Sequence, residues 1–218
     1  ADISVIGPLA RGANDLEIAT LAMAGVDGRN ARGLTLKLPP SCKKNLKDFK
    51  VGVLLEDSNC AQDGELTDQL QGIVEQLARA GVQIDDKARP LTDTKRAHLI
   101  YLMLLRAATA SRLSNDVLEM HRNRAITSDP DDFSYKTIVD RAITMSHTEW
   151  LAWNEKRELL CREWSTFFDN YDLLLTPIAA STAFPHSQAG ERTDRTILVN
   201  NILEPEVDQL FWAGLASA

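Results

Sequence analysis

The stretch from Val51 to Asp86 constrains this chain more than any other. "VGVLLED" is a short apolar run rich in β-formers. "GELTDQLQGIVEQLARAG" follows, with Leu66, Leu70, Ile73, Val74 and Leu77 at helical spacing and Gly81 placed to close it. "VQIDD" then reads as a second strand. A strand, a helix and a strand in about this length make a βαβ unit, which demands parallel pairing and a right-handed crossover. A third strand is expected at "DLLLTP", Asp172 to Pro177, where proline ends it.

The remaining segments read mostly as helices. "NDLEIATLAMAGVDG" carries Leu16, Ala19 and Met23 on one face, with Asn14 as its expected cap and Gly25 or Gly28 as its end. "DISVIGPLA" before it suits a strand end or a buried turn. "KRAHLIYLMLLRAATASRL" is apolar nearly all round and predicts a buried helix. "FSYKTIVDRAITM" predicts another. Ser146 and Glu149 form a capping box for the next, flanked by a Met145–Trp150 staple. Its aromatic side chains, Trp150 to Tyr171, read as core. "IAASTAFPHSQAGERTDRT" lacks periodicity and reads as a long loop; "DQLFWAGLA" reads as a final helix broken at Gly214. The expected architecture is α/β: helices around a mostly parallel sheet, in one domain over 1–218 without an internal linker.

Composition narrows the function. The net charge of −7 disfavours a nucleic-acid surface and an anionic membrane. Cys42, Cys60 and Cys161 are odd in number and widely spaced, which argues for buried or partly buried free thiols in a reducing cytosol rather than a zinc site or a disulfide framework. No apolar run reaches membrane-spanning length, and the start lacks the pattern of a signal peptide, so the expectation is a cytoplasmic protein.

The sequence contains no G-x-S-x-G elbow, no Gly-rich phosphate loop and no H-E-x-x-H pair. Ser146 beside His147 invites a nucleophile–base reading, but neighbours on a helix start point apart and the capping box already explains the serine. His98 reads as a satisfied core histidine. His121 and His186 read as solvated. Asp131 and Asp132 mark a helix start. Glu56 and Asp57 follow the first strand, where open α/β sheets bind ligands, though a strand-end turn is the simpler reading. The residues alone therefore give an α/β domain without a recognisable catalytic set.

Four segments, in order, resemble the amidase signature enzymes: "SVIGPLARGANDLEIATLAMAG", "LKDFKVGVLLED", "NYDLLLTPIAASTAFPHSQ" and "VDQLFWAGLASA". The resemblance runs from Asp2 to Ala218. It implies a partial amidase-signature fold and a parent enzyme that hydrolyses carbon–nitrogen bonds of small amides. That chemistry uses a serine nucleophile, a second serine and a lysine base, with no cofactor or metal. In the family these groups lie upstream of the G-P-L-A-R segment, so the resemblance assigns no catalytic residue here and implies an incomplete, inactive piece. It points to Thr176, Pro177 and the loop to His186 as pocket walls. It offers Asp208 a substrate contact, against the favoured reading of a helix cap, and Trp212 a place in the pocket or, more simply, in the core. The competing expectation is a non-catalytic module whose apolar surface and sheet edge drive self-association, a homodimer included.

Overall fold

The structure is a computed structural model that describes residues 3, 7–26, 28–188 and 190–217. It divides into two compact units, Ala1–Lys44 and Asn45–Ala218. In the first, helix α1 spans Ala13–Met23 and a 3-10 turn spans Asn30–Arg32. The helix starts one residue before Asn14, so Gly12 stands at the cap and no side chain closes the helix start. Leu16, Ile18, Leu21 and Met23 are all exposed, and the helix buries none of its residues. The apolar periodicity predicted the helix but not a covering for it. Most of the "DISVIGPLA" segment lies outside the described residues.

The second unit holds the βαβ unit. Strand β1 is Lys50–Val53, helix α2 is Gly64–Arg79 and strand β2 is Gln83–Asp85. Asp63 caps α2, its carboxylate accepting from the Leu66 amide at 3.1 Å. Gly81, at φ +92°, makes the reversal into β2 that a residue with a Cβ rarely makes. Strand β3, Leu173–Leu175, lies on the other side of β1. The order is β2-β1-β3 with both pairings parallel, Val51 opposite Ile84 and Leu173.

Alternation along β1 explains how the sheet is covered. Val51 and Val53 point one way and join Val74 of α2 and Val82 in a core that Leu77 and Leu175 flank. Gly52 points the other way, where a Cβ would meet the Phe167 ring at 2.8 Å and Ala88 at 2.9 Å. Burying each aliphatic side chain contributes roughly 1.5–3 kcal/mol, so β1 is the best-anchored strand. It is shorter than the apolar run: Leu54 adds one bond to the Leu175 carbonyl, and the chain then turns at Asp57–Cys60.

Four helices follow: α3 (Thr94–Thr109), α4 (Asn115–Thr127), α5 (Tyr135–Thr144) and α6 (His147–Phe168). Helix α3 is central. It buries Ala97 and Ile100 through Leu104 and packs against α5, α6 and the last helix. Asp132, the expected helix-start acid, accepts from Ser134 and Thr137 just ahead of α5, and those bonds hold its carboxyl below the usual range. Strands β4 (Thr196–Val199) and β5 (Ile202–Pro205) form a hairpin inside the stretch that follows the long loop. Asn200 and Asn201, at φ 52° and 63°, make its two-residue turn. A 3-10 turn at Glu206–Gln209 leads into helix α7, Leu210–Leu215. Gly214 does not break this helix. It lies inside α7, where a Cβ would stand 2.5 Å from the Tyr101 ring.

Candidate functional site

The loops after β1 and β3 leave the same, carboxyl end of a parallel sheet, the place where such sheets bind ligands. Side-chain amides bind these loops to α7 and the hairpin. Gln62, after β1, accepts from the Trp212 indole N–H at 2.8 Å and donates to the Ala179 carbonyl at 3.3 Å. Gln209 accepts from the Ala180 amide at 3.0 Å and donates to the Ser181 hydroxyl at 2.9 Å. Asn200 donates to the Gln62 carbonyl and accepts from the Gly64 amide, both at 2.9 Å. The Asp63 amide adds a bond to the Ala180 carbonyl at 2.8 Å. The loop after β1 is thus fixed, at one end of the sheet, to the much later stretch that holds the loop after β3, the hairpin and α7.

Thr176 and Trp212 line the same cavity. It measures about 540 Å³, opens to one side, and is walled by Cys161, Trp164 and Phe168 of α6, Leu173 and Leu174 of β3, and Leu215. Trp212 is buried and meets Phe211 edge to face, so it is at once a core residue and a cavity wall. The expected core role of the α6 aromatics holds only in part: Leu160 and Phe167 are buried, Trp150, Trp153 and Trp164 are half-buried and Phe168 is exposed, and Trp164 and Phe168 form a cavity wall. Pro177 is buried beside Thr176. His186 stands elsewhere, exposed, at a cavity of about 400 Å³ with Asp63, Phe184, Leu198 and Leu203.

Asp208 does not cap α7. The cap position belongs to Gln209 and no side chain closes it; Asp208 lies within the preceding 3-10 turn. Its carboxyl is pushed up by burial and by Glu204. The backbone carbonyl of Asp208 lies 3.8 Å from the Cys60 thiol. Burial, then Asp208, Asp57 and Glu204, raise that thiol to about 12. A thiol so placed stays protonated at neutral pH and is a poor nucleophile. Asp57 itself closes the strand-end turn, accepting from the Asn59 amide at 2.9 Å.

Two histidines depart from expectation. His121 is not solvated: it sits between α4 and α5 with Nδ1 2.5 Å from the Asp140 carboxylate, both side chains largely buried. Periodicity could not show this, because the partner is on another helix. His98 is in the core but not satisfied, since its buried Nδ1 has no hydrogen-bond partner among the described residues. Ser146 is a cap. Its hydroxyl donates to Glu149 at 2.8 Å and accepts from the Glu149 amide at 3.2 Å, while the His147 ring stacks on Trp150. That pair is arranged for helix initiation, not for attack on a carbonyl. No group of three or more metal-ligating side chains is gathered among the described residues. No helix there is long and apolar enough to cross a membrane.

The family model described as amidase matches residues 1–208. The chain belongs to the amidase family. Among its curated relatives, the A-type subunit of the glutamyl-tRNA(Gln) amidotransferase of Bartonella tribocorum is 24% identical over 96% of this chain and 46% of its own length. The corresponding subunit of Deinococcus deserti is 27% identical over 88% of this chain and 42% of its own. The chain spans less than half the length of these relatives. Within this amidase domain the three ties at the sheet end, Gln62, Gln209 and Asn200, were not foreseen from the sequence. The Asn200–Asn201 pair was the one available signal, because two residues that tolerate φ > 0 between β-branched neighbours mark a hairpin.

Proposed function

We propose that these residues form the substrate-side part of an amide hydrolase. In it the acyl carbon passes to water and the nitrogen leaves as ammonia or an amine. The serine nucleophile, bridging serine and lysine base come from residues outside this sequence. One observation carries the reading: in a chain of the amidase family, the loops after β1 and β3, α7 and the β4–β5 hairpin are fixed together at the ligand-binding end of the sheet. Thr176 and Trp212 then wall the acyl or amine side of the substrate, with Pro177 buried beside Thr176. His186, at the other cavity, and Asp208, which lines neither cavity, are assigned no contact with that substrate. Ser146 is occupied in a helix cap and the His147 ring stacks on Trp150, which agrees with their taking no part.

Two preparations test this. The 218-residue chain alone is expected to show no turnover of simple aliphatic and aryl amides and no labelling by serine-directed probes. A protein carrying these residues behind a lysine and a Gly-Ser-rich segment is expected to turn such amides over, with the reacting serine in the added segment. Turnover and serine labelling by the 218-residue chain itself would overturn the proposal.

A further inference from the structure

We propose that Gln62 is a positioning residue whose side chain sets where Trp212 stands in the cavity wall. The proposal rests on the substrate-side reading for its effect on catalysis, but not for its geometry. Gln62 does not line the cavity of Trp212, Thr176 and Phe168, so it acts through Trp212. Indole N–H is a donor only, so the residue opposite it must present an acceptor; a backbone carbonyl needs a donor. A neutral amide offers both from adjacent atoms without carrying a charge. Gln62 uses its oxygen for Trp212 and its nitrogen for Ala179, two residues past Pro177.

The arrangement is braced from behind. The Gln62 carbonyl is held by Asn200, and the next residue, Asp63, binds the Ala180 carbonyl. Trp212 is only 3% exposed, so its N–H has no water to fall back on if the amide is removed. Loss of the amide therefore leaves a buried donor unpaired and drives the indole to a new rotamer, which changes the shape of the cavity. Gln209 fastens the same loop at Ala180 and Ser181, while the indole N–H bonds to Gln62, and so provides a control.

The experiment has two arms. In the 218-residue chain, the indole N–H of Trp212 is assigned by NMR with Trp212→Phe and its hydrogen exchange is followed. Gln62→Leu is expected to speed that exchange at least tenfold. Gln62→Glu keeps the acceptor and is expected to preserve protection. Gln209→Leu is expected to leave the indole unchanged although it loosens the loop. Unchanged exchange in Gln62→Leu, or equal acceleration by Gln209→Leu, would overturn the positioning role. In the amide-cleaving protein described above, Gln62→Leu is expected to raise KM for an aryl amide several-fold with kcat within twofold. A fall in kcat alone would overturn the specificity role. Absence of turnover in the unsubstituted protein would count against the substrate-side reading and leave the exchange result standing.

Discussion

His98 shows how one side chain can make a fold sensitive to pH. Its ring lies against Phe211 at 5.3 Å, with Tyr101 nearby, and its Nδ1 is buried without a hydrogen-bond partner among the described residues. Burial lowers its pKa from 6.5 to about 4. Between those two values the unfolded chain binds a proton that the folded chain excludes. Stability therefore rises with pH across this window, is complete above about 6.5, and is lost as pH falls toward 4. The loss is on the order of 3 kcal/mol for this residue. We expect His98→Leu to flatten the dependence of unfolding free energy on pH between about 6.5 and 4, measured by urea denaturation. An equally steep curve in the variant would assign the effect to other groups. This behaviour was not legible in the sequence. An apolar neighbourhood around His98 was, but the Phe211 ring packed against it comes from α7, far along the chain.

At the scale of elements, glycine in a helix has two opposite meanings, and only packing tells them apart. Gly72 in α2 has nothing within 4 Å of where a Cβ would stand; Gly214 in α7 has the Tyr101 ring at 2.5 Å. Alanine in place of Gly72 restricts the unfolded chain without a clash. It is expected to stabilise the fold by about 0.5–1 kcal/mol. Alanine in place of Gly214 forces α7 and α3 apart and is expected to destabilise by about 1–3 kcal/mol despite the same gain in helix propensity. Thermal unfolding of the two variants checks both signs. The same limit separates what is legible in the sequence from what is not. Strands β1, β2 and β3 are readable as short apolar or β-rich runs, α2 from its helical spacing, α3 from its long apolar run and α6 from its capping box, because each of these signals is local. The expected break at Gly214 fails because the Tyr101 ring of α3 packs against that glycine inside α7, and the expected cap at Asp208 fails because a 3-10 turn places Gln209 at the cap position. The carboxyl-end site is readable only as loop positions such as Thr176. The amides that bind those loops together have no local signature.

At the scale of the whole molecule, the three-stranded sheet has an open flank. Among the described residues β3 has a strand neighbour on one side only, β1. Leu173, in that edge strand, is 47% exposed, and Phe168 beside it on the cavity wall is 49% exposed. An unpaired strand edge next to an apolar surface is a template for pairing with another chain, and natural edges are commonly guarded by charge. No charge interrupts this strand, which is three leucines, Leu173 to Leu175. The 218-residue chain is therefore expected to self-associate, with its weight-average mass in sedimentation rising with concentration through the micromolar range. Leu173→Lys places a charge on the edge where the side chain already reaches solvent. It is expected to suppress the association while leaving the unfolding temperature nearly unchanged, because the buried contacts of β1 with Val74 and Val82 remain intact. A chain that stays monomeric throughout that range would show that the edge is protected in some other way. Association unaffected by Leu173→Lys would move the contact to the hairpin, where Leu198, Ile202 and Leu203 are also exposed.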